Sequence, residues 1–293
     1  MTVRGLLAAA ALATLLAACS GGADDEVPTL VIGGIPDQDR AFLEERFGAV
    51  ADDLGDELGI PVAYQPSSDY TALVTAFRNG DVVLSWFGGL TGVQARHEVD
   101  GAEALAQREI DAEFHVAFVA HHALGATDLD GLVGRDFTFG SESSTSGHLM
   151  PRHFLAEAGI DPEEDLGTVG YSGSHDTTAQ LVEAGSYEAG ALSASVWDRM
   201  VDADEIDLDR VDVVERAGPY FNYHWAAHPD IDEAYGDGTI DAITEALLSM
   251  HEREAGRAAL EMFDDERFVA TENANYAGIE EVAIDLGIID DVE

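Results

Sequence analysis

The sequence predicts an α/β protein with two lobes, each a mostly parallel β-sheet flanked by helices. Strands and helices alternate in the N-terminal third, with strands at 29–34, 61–64 and 82–87 and helices at 39–58 and 70–78. The strands are short apolar runs, whereas the helices repeat apolar residues with helical spacing. The same alternation starts again at 137–139. Strands that alternate with helices favour parallel pairing, with the helices on the sheet faces.

The second unit repeats this pattern and indicates where the chain changes lobe. Its elements are a helix from His148, a strand at 167–171, a helix at 176–184 and a strand at 189–192. An apolar run at 114–120 predicts a crossing strand, and an aromatic segment at 221–225 precedes helices at 240–252 and 253–263. We therefore expect crossings near 118–122 and 220–226. Residues 29–118 with 225–293 would form lobe I, and residues 119–224 would form lobe II.

The composition is globular but extremely acidic. In 293 residues, 58 Asp and Glu face 14 basic residues, all of them Arg, and the net charge is −44. The length is sufficient for two hydrophobic cores. Such a surface repels itself at low salt, whereas molar salt screens charges within roughly 3 Å, so the composition predicts a halophilic protein. Nucleic acid, which is also negative, is not expected as a partner.

The N-terminus is typical of an exported protein. Arg4 precedes an apolar run at 6–18 that is too short to span a membrane, which predicts a signal peptide over 1–18. Leu16-Ala17-Ala18-Cys19 resembles the lipobox of bacterial lipoproteins, in which the cysteine is lipidated and begins the mature chain. Residues 19–28 would then be a lipid-anchored linker. We expect a protein that is periplasmic or attached to the outer face of the cell membrane.

A hydroxyl-rich loop after the strand at 137–139 is the first candidate site. Ser144, Thr145 and Ser146 precede a helix whose first turn contains Pro151. A helix start leaves N–H groups unpaired at the positive end of the helix dipole, so these hydroxyls could donate to an oxyanion with them. An ordinary N-cap is the alternative, because Ser and Thr favour that position.

A second loop, Gly173-Ser174-His175-Asp176, also follows a strand and opens a helix. Ligands of open parallel sheets bind beyond the carboxyl ends of the strands, so the two loops should converge. His175 could donate to the anion or could be a loop histidine bonded to backbone.

Lobe I offers weaker candidates for contact with a ligand. Tyr70 is either a hydroxyl donor or a core aromatic residue, and Gly89 and Thr91 lie in a glycine-rich segment that either approaches a ligand or forms a plain turn. Tyr223, in the second aromatic crossing, completes the candidate set.

Enzymatic and metal-binding functions are the alternatives from other classes. Ser146 or Ser174 with His175 and Asp176 supplies the residue types of a hydrolase, but adjacent residues point in different directions and no G-x-S-x-G motif is present. The histidines at 121, 122, 148 and 153 lack a ligand pattern such as H-E-x-x-H. We expect no catalysis, no cofactor and no metal.

The candidate loops, with the segments Tyr70 to Gly80 and Trp86-Phe87-Gly88, resemble those of the substrate-binding lipoproteins of the phosphate, phosphite and phosphonate ABC transporters. Residues 86–96 most resemble the branch called putative selenate-binding proteins. The resemblance implies a type II-like periplasmic-binding-protein fold with a hinge, a monomer and a permease partner. It also implies ligand-binding roles for Tyr70, Ser144, Thr145, Ser146 and His175.

Two positions depart from the phosphonate-binding pattern. Gly92 stands where those proteins have a tyrosine, and Ser193-Ala194-Ser195 stands where they have a carboxylate. A site with donors only suits a proton-free dianion, because an unpaired carboxylate beside it would be repelled and desolvated. The sequence therefore predicts capture of a selenate-like or sulfate-like oxyanion, with a phosphonate, phosphite or phosphate receptor as the alternative.

Overall fold

The structure is a computed structural model that describes residues 27–290. The predicted signal peptide, Cys19 and nearly all of the linker lie outside these residues. The strands are β1 Leu30–Gly34, β2 Val62–Tyr64, β3 Leu84–Phe87, β4 Glu103–Arg108, β5 Phe114–His121, β6 Phe137–Phe139, β7 Val169–Tyr171, β8 Ala189–Ser193, β9 Val211–Tyr220, β10 His224–Ala227 and β11 Phe268–Ala270. The helices are α1 Arg40–Leu58, α2 Tyr70–Arg78, α3 Gly89–Glu98, α4 Met150–Glu157, α5 His175–Glu183, α6 Ala194–Asp202, α7 Asp230–Tyr235, α8 Thr239–Leu248, α9 Glu254–Glu261 and α10 Ala277–Asp285. Within 27–290, no helix combines the length and apolarity needed to cross a bilayer.

The strands form two sheets, which confirms the predicted two-lobe α/β class. The sheet of lobe I has the order β11-β4-β10-β3-β1-β2, and that of lobe II has the order β7-β6-β8-β5-β9. The predicted βαβαβ unit forms the parallel part β3-β1-β2. In lobe II, β6 pairs in parallel with both β7 and β8.

The remaining pairings are antiparallel, so the sheets are mixed rather than mostly parallel. Strands β10, β4 and β11 are added antiparallel to one another beside β3, and β5 lies antiparallel between β8 and β9. The double crossing of the chain explains the direction of β5 and β10. A strand that enters a lobe from the other lobe starts at the cleft and runs away from it, opposite to the strands that end there.

The sheet pairings correct the predicted lobe boundaries. Strand β4 ends at Arg108 and β5 begins at Phe114, so the first crossing is the 3₁₀ turn Glu109–Ala112 and its neighbours. Residues 114–118, which we had assigned to lobe I, pair in the sheet of lobe II. The second crossing falls at 221–223, and His224 already pairs in the sheet of lobe I.

Helix α3 begins at Gly89, in the glycine-rich segment for which the sequence allowed either a ligand-binding loop or a plain turn. Gly88 caps it, and the Thr91 hydroxyl accepts from Gly88 N at 3.0 Å. In lobe II, the hydroxyl-rich loop winds into a π-helical turn, Thr145–Leu149, before α4. The helices α1, α2 and α5 begin within one residue of their predicted starts. These helix starts and the strand ends before them face the space between the lobes.

Candidate functional site: a closed cleft between the lobes

Four loops at the carboxyl ends of parallel strands meet across the cleft, as ligand loops of such sheets do. They follow β1 and β3 in lobe I and β6 and β7 in lobe II. Leu90 N donates to Thr145 Oγ1 at 2.9 Å, and His175 N donates to the carbonyl of Asp37 at 2.9 Å. Both hydrogen bonds join one lobe to the other, so the lobes are closed in this structure.

The three hydroxyls of the first candidate loop are brought together and buried. Ser144, Thr145 and Ser146 are each at most 3 % exposed. Ser144 Oγ accepts from Gly147 N at 2.9 Å, so the N-cap interpretation holds for this residue. An accepting hydroxyl keeps its own hydrogen. The cap role therefore leaves Ser144 able to donate to an anion as well.

Two buried tyrosine hydroxyls beside these serines have no hydrogen-bond partner. Tyr70 and Tyr220 are 2 % and 8 % exposed, and both Oη atoms are unpaired. Burial is the largest cause and raises the pKa of both residues, whereas the neighbouring side chains of Ser144 and Ser146 oppose the shift. Both phenols are thus neutral donors. An unsatisfied buried hydroxyl costs about 1–3 kcal/mol, so each of these two would gain by donating to a ligand oxygen.

The geometry assigns the proton of His175. The residue is 1 % exposed, and its Nδ1 accepts from Ser193 N at 3.3 Å. Burial lowers the pKa of the imidazole, although the charges of Asp37 and Asp176 oppose the shift. A neutral ring that accepts at Nδ1 carries its proton on Nε2. His175 can therefore donate from Nε2 without being charged.

A carboxylate that the sequence argument missed lies in the cleft. Asp37 is 2 % exposed, in the loop after β1. After burial, its charge is the largest cause that raises the pKa of Tyr70 and of Tyr223, and it opposes the lowering at His175. The prediction of a donor-only site is therefore wrong. Asp37 follows a predicted parallel strand, and this position could have identified it as a candidate from the sequence.

The backbone N–H of Gly89 and the hydroxyl of Thr91 both form hydrogen bonds within the protein. Gly89 N donates to Asn222 Oδ1 at 3.2 Å, and Thr91 Oγ1 donates to the carbonyl of Gly88 at 3.1 Å. Asn222, from the second crossing, also donates through Nδ2 to Ser146 Oγ at 2.9 Å. This asparagine links lobe I to the loop of Ser144, Thr145 and Ser146, which we call the anion loop after its predicted ligand. Ligand contact by Gly89 and Thr91 stays a prediction.

Tyr223 lies at the floor of the cleft. It is 3 % exposed and stacks on Trp86 with ring centroids 5.7 Å apart, and the guanidinium of Arg108 lies 5.1 Å from its ring centroid. Burial and then the charge of Asp37 raise the pKa of its hydroxyl well above the ordinary value. The phenol is therefore neutral and lies beside Asp37, and its contact with a ligand stays a prediction.

The departure at Gly92 has a packing cause. A Cβ atom at this position would lie 2.3 Å from ring atoms of His224. His224 is fully buried, and burial together with the charge of Arg96 lowers its pKa to about 3. The histidine ring fills the space that any side chain at residue 92 would need. A tyrosine is therefore incompatible with this position.

The hydrolase and metal alternatives lack the required geometry. Ser174 Oγ donates to Asp176, and Ser146 Oγ accepts from Asn222, while the His175 ring accepts from Ser193 N. Neither serine is paired with the imidazole as a nucleophile would be. Within the described residues, no group of three His, Cys, Asp or Glu side chains could hold a metal ion.

The fold and the cleft define a two-lobed binding protein that closes over a small, oxygen-rich ligand. The profile of the family described as "ABC transporter, phosphonate, periplasmic substrate-binding protein" matches residues 32–276, and the chain belongs to this family. Its members are substrate-binding proteins of ABC transporters and not enzymes. Proteins of this class are exported.

Individual relatives agree with this assignment. The chain is 37 % identical, over 86 % of its length and 88 % of the relative's, to the "Probable ABC transporter phosphite binding protein PhnD1" of Prochlorococcus marinus. The structure of PhnD1 from that organism in complex with methylphosphonate superposes with a TM-score of 0.86 at 36 % identity, covering 89 % of this chain and 99 % of that one. A binding protein of an ABC phosphonate transporter from Pseudomonas aeruginosa shares the fold, with a TM-score of 0.79 at 15 % identity, covering 91 % of this chain and 90 % of that one. The narrower resemblance to the selenate-binding branch is not confirmed.

Proposed function

We propose that the chain captures phosphite or a small phosphonate between its lobes and delivers it to the permease of an ABC transporter. The observation that carries the proposal is the buried carboxylate of Asp37, which lies in the same cleft as the candidate hydroxyls and the imidazole of His175. Phosphite and phosphonates can keep a proton near neutral pH, and a carboxylate can accept it. Sulfate and selenate carry no proton, so the negative charge of Asp37 would repel them.

The relatives support the same class of ligand. The 37 % identical relative is named for phosphite, and the 36 % identical structure holds methylphosphonate. In our proposal, Ser144, Thr145, Ser146, His175 Nε2 and the hydroxyls of Tyr70 and Tyr220 donate to the phosphorus oxygens. Tyr223, Gly89 and Thr91 would shape the floor and the lobe I side of the cavity.

A proton-free dianion remains the second candidate because of one specific observation. The sequence where β8 ends and α6 begins is Ser193-Ala194-Ser195, so lobe II contributes no carboxylate there. The two candidates differ in what Asp37 does. It accepts a ligand proton in the first case and repels the ligand in the second.

Calorimetric titration of phosphite, methylphosphonate, phosphate, sulfate and selenate at matched ionic strength and pH 7 tests the proposal. We expect phosphite or methylphosphonate to bind more tightly than sulfate and selenate. Asp37→Asn keeps the shape and removes the charge, so the preference should shrink as the two proton-free anions gain affinity. Asp52→Asn, on the exposed side of α1, is the matched control and should change nothing. Tighter binding of sulfate or selenate by the wild type would reject the proposal.

We also propose that the protein is a monomer anchored through a lipid on Cys19. The support is the lipobox-like segment together with membership in an exported family. Cys19→Ser should release the protein from the membrane fraction of its host. Unchanged retention there would contradict the anchor.

A further inference from the structure

Phe42, in lobe I, is in contact with two arginines, one from each lobe. The Arg46 guanidinium lies 4.5 Å from the Phe42 ring centroid, and the guanidinium of Arg199, in α6 of lobe II, lies 5.0 Å from the same centroid. Arg199 Nε also donates to Gln38 Oε1 of lobe I at 2.9 Å. We propose that Arg199 is a positioning residue that sets affinity by holding the lobes closed. We call Arg199, Gln38 and Phe42 the clasp.

The clasp contacts require a closed cleft. Gln38 and Phe42 lie in and just after the loop that follows β1, whereas Arg199 is carried by the helix after β8, in the other sheet. Hinge opening separates the two sheets, so Arg199 in lobe II would lose its contacts with Gln38 and Phe42 in lobe I. The bond to Gln38 and the cation–π contact therefore contribute to the closed state alone.

Arg199 is prepared for this role by its own lobe. Its Nη1 donates to both carboxylate oxygens of Glu205, at 3.2 and 3.3 Å, which leaves Nε directed to Gln38. Gln38 is 7 % exposed, so its carbonyl oxygen has little access to competing water. A donor held by its own lobe and a sheltered acceptor lose little freedom when the cleft closes.

The clasp contains none of the residues that we propose to contact the ligand, so it should act equally on every ligand. The apparent dissociation constant of a ligand varies inversely with the fraction of protein in the closed, binding-competent state. Removing a charged hydrogen bond and a cation–π contact should lower the closed fraction on the order of tenfold. All dissociation constants should then rise by one common factor, mainly through faster dissociation, while their ratios stay unchanged.

The test is Arg199→Ala, titrated with methylphosphonate, phosphite and sulfate, with Arg216→Ala as the matched control. Arg216 forms its ion pair with Asp198 inside lobe II, one residue from Arg199, and should leave affinity unaltered. Arg199→Lys keeps the charge and loses Nε, so it should recover part of the affinity. In a double-mutant cycle, Arg199→Ala combined with Phe42→Leu should weaken binding less than the product of the single effects.

This inference rests on the proposed function, but the experiments distinguish a failure of the clasp from a failure of the proposed function. If none of the three anions binds the wild type, the proposed function fails, and the clasp is then judged on ligand-free protein. Dyes at Asp52→Cys and Asp209→Cys, both exposed and on opposite lobes, report closure by single-molecule energy transfer. The closed population should fall in Arg199→Ala. Unchanged closure, unchanged affinity, fully multiplicative effects with Phe42→Leu, or an effect on one anion only would each overturn the clasp.

Discussion

The hydroxyl of Thr145 in lobe II accepts a hydrogen bond from the backbone N–H of Leu90 in lobe I, at 2.9 Å. This N–H belongs to the first turn of α3, where no intrahelical carbonyl is available to it. The anion loop of one lobe thus caps a helix of the other. The contact makes Thr145 part of closure as well as a candidate ligand residue.

We expect Thr145→Val to weaken anion binding by about 1–3 kcal/mol, because closure would then bury Leu90 N without an acceptor. Thr145→Ser keeps the hydroxyl and should stay within about threefold of the wild type. Calorimetric titration with methylphosphonate measures both variants. Unchanged affinity in the valine variant together with a loss in the serine variant would show that the methyl group, rather than the hydroxyl, matters.

The unpaired hydroxyls of Tyr70 and Tyr220 predict opposite effects on stability and on binding. Tyr70→Phe or Tyr220→Phe removes a buried group that has no partner, so the ligand-free protein should keep or gain thermal stability. Each variant should nevertheless lose about 0.5–3 kcal/mol of binding free energy if the hydroxyl donates to the ligand. Melting and titration of the same preparations test this. A destabilised ligand-free protein with unchanged affinity would contradict the assigned role.

Three buried histidines predict a loss of stability in mild acid. Burial lowers the pKa of His148 to about 4 and of His224 to about 3, and it also lowers the pKa of His175. Below the unfolded-state pKa of about 6.5, the unfolded chain binds protons that the folded chain excludes. Stability is therefore complete above that value and falls as the pH drops towards 4.

Each fully excluded proton should reduce the free energy of unfolding by about 1.4 kcal/mol per pH unit. Urea denaturation between pH 7 and 4.5, in molar salt to limit carboxylate repulsion, measures the slope. His148→Gln should make it shallower. A free energy of unfolding that is constant or increases on acidification would disprove this account.

The charge of −44 predicts that the fold depends on salt. Removing salt leaves the carboxylates unscreened, and their mutual repulsion favours the expanded chain. We expect the melting temperature to fall between molar and millimolar NaCl. The same melting temperature at both concentrations would refute the halophilic interpretation.

The sequence by itself determined the helices and strands and the positions of the two candidate loops. The helix at 70–78, the strand at 137–139 and the helix starts after Ser144 and Ser174 follow from apolar periodicity and cap residues, which depend only on chain neighbours. The rule that ligands bind at the ends of parallel strands then brought Ser144 to Ser146 and His175 to one place. Both steps use information that lies within one or two elements.

Only the tertiary structure decided which distant residues share the cleft. Asp37 meets His175 across 138 residues of chain, and Arg199 meets Gln38 across 161, because two crossings fold the lobes against each other. The antiparallel strands β5 and β10 arise for the same reason. Such pairings depend on how whole sheets pack against each other, and the apolar periodicity of a single element does not predict that packing. Asp37, on which our proposed anion preference rests, could be read from the sequence as a residue, but its position in the cleft could not.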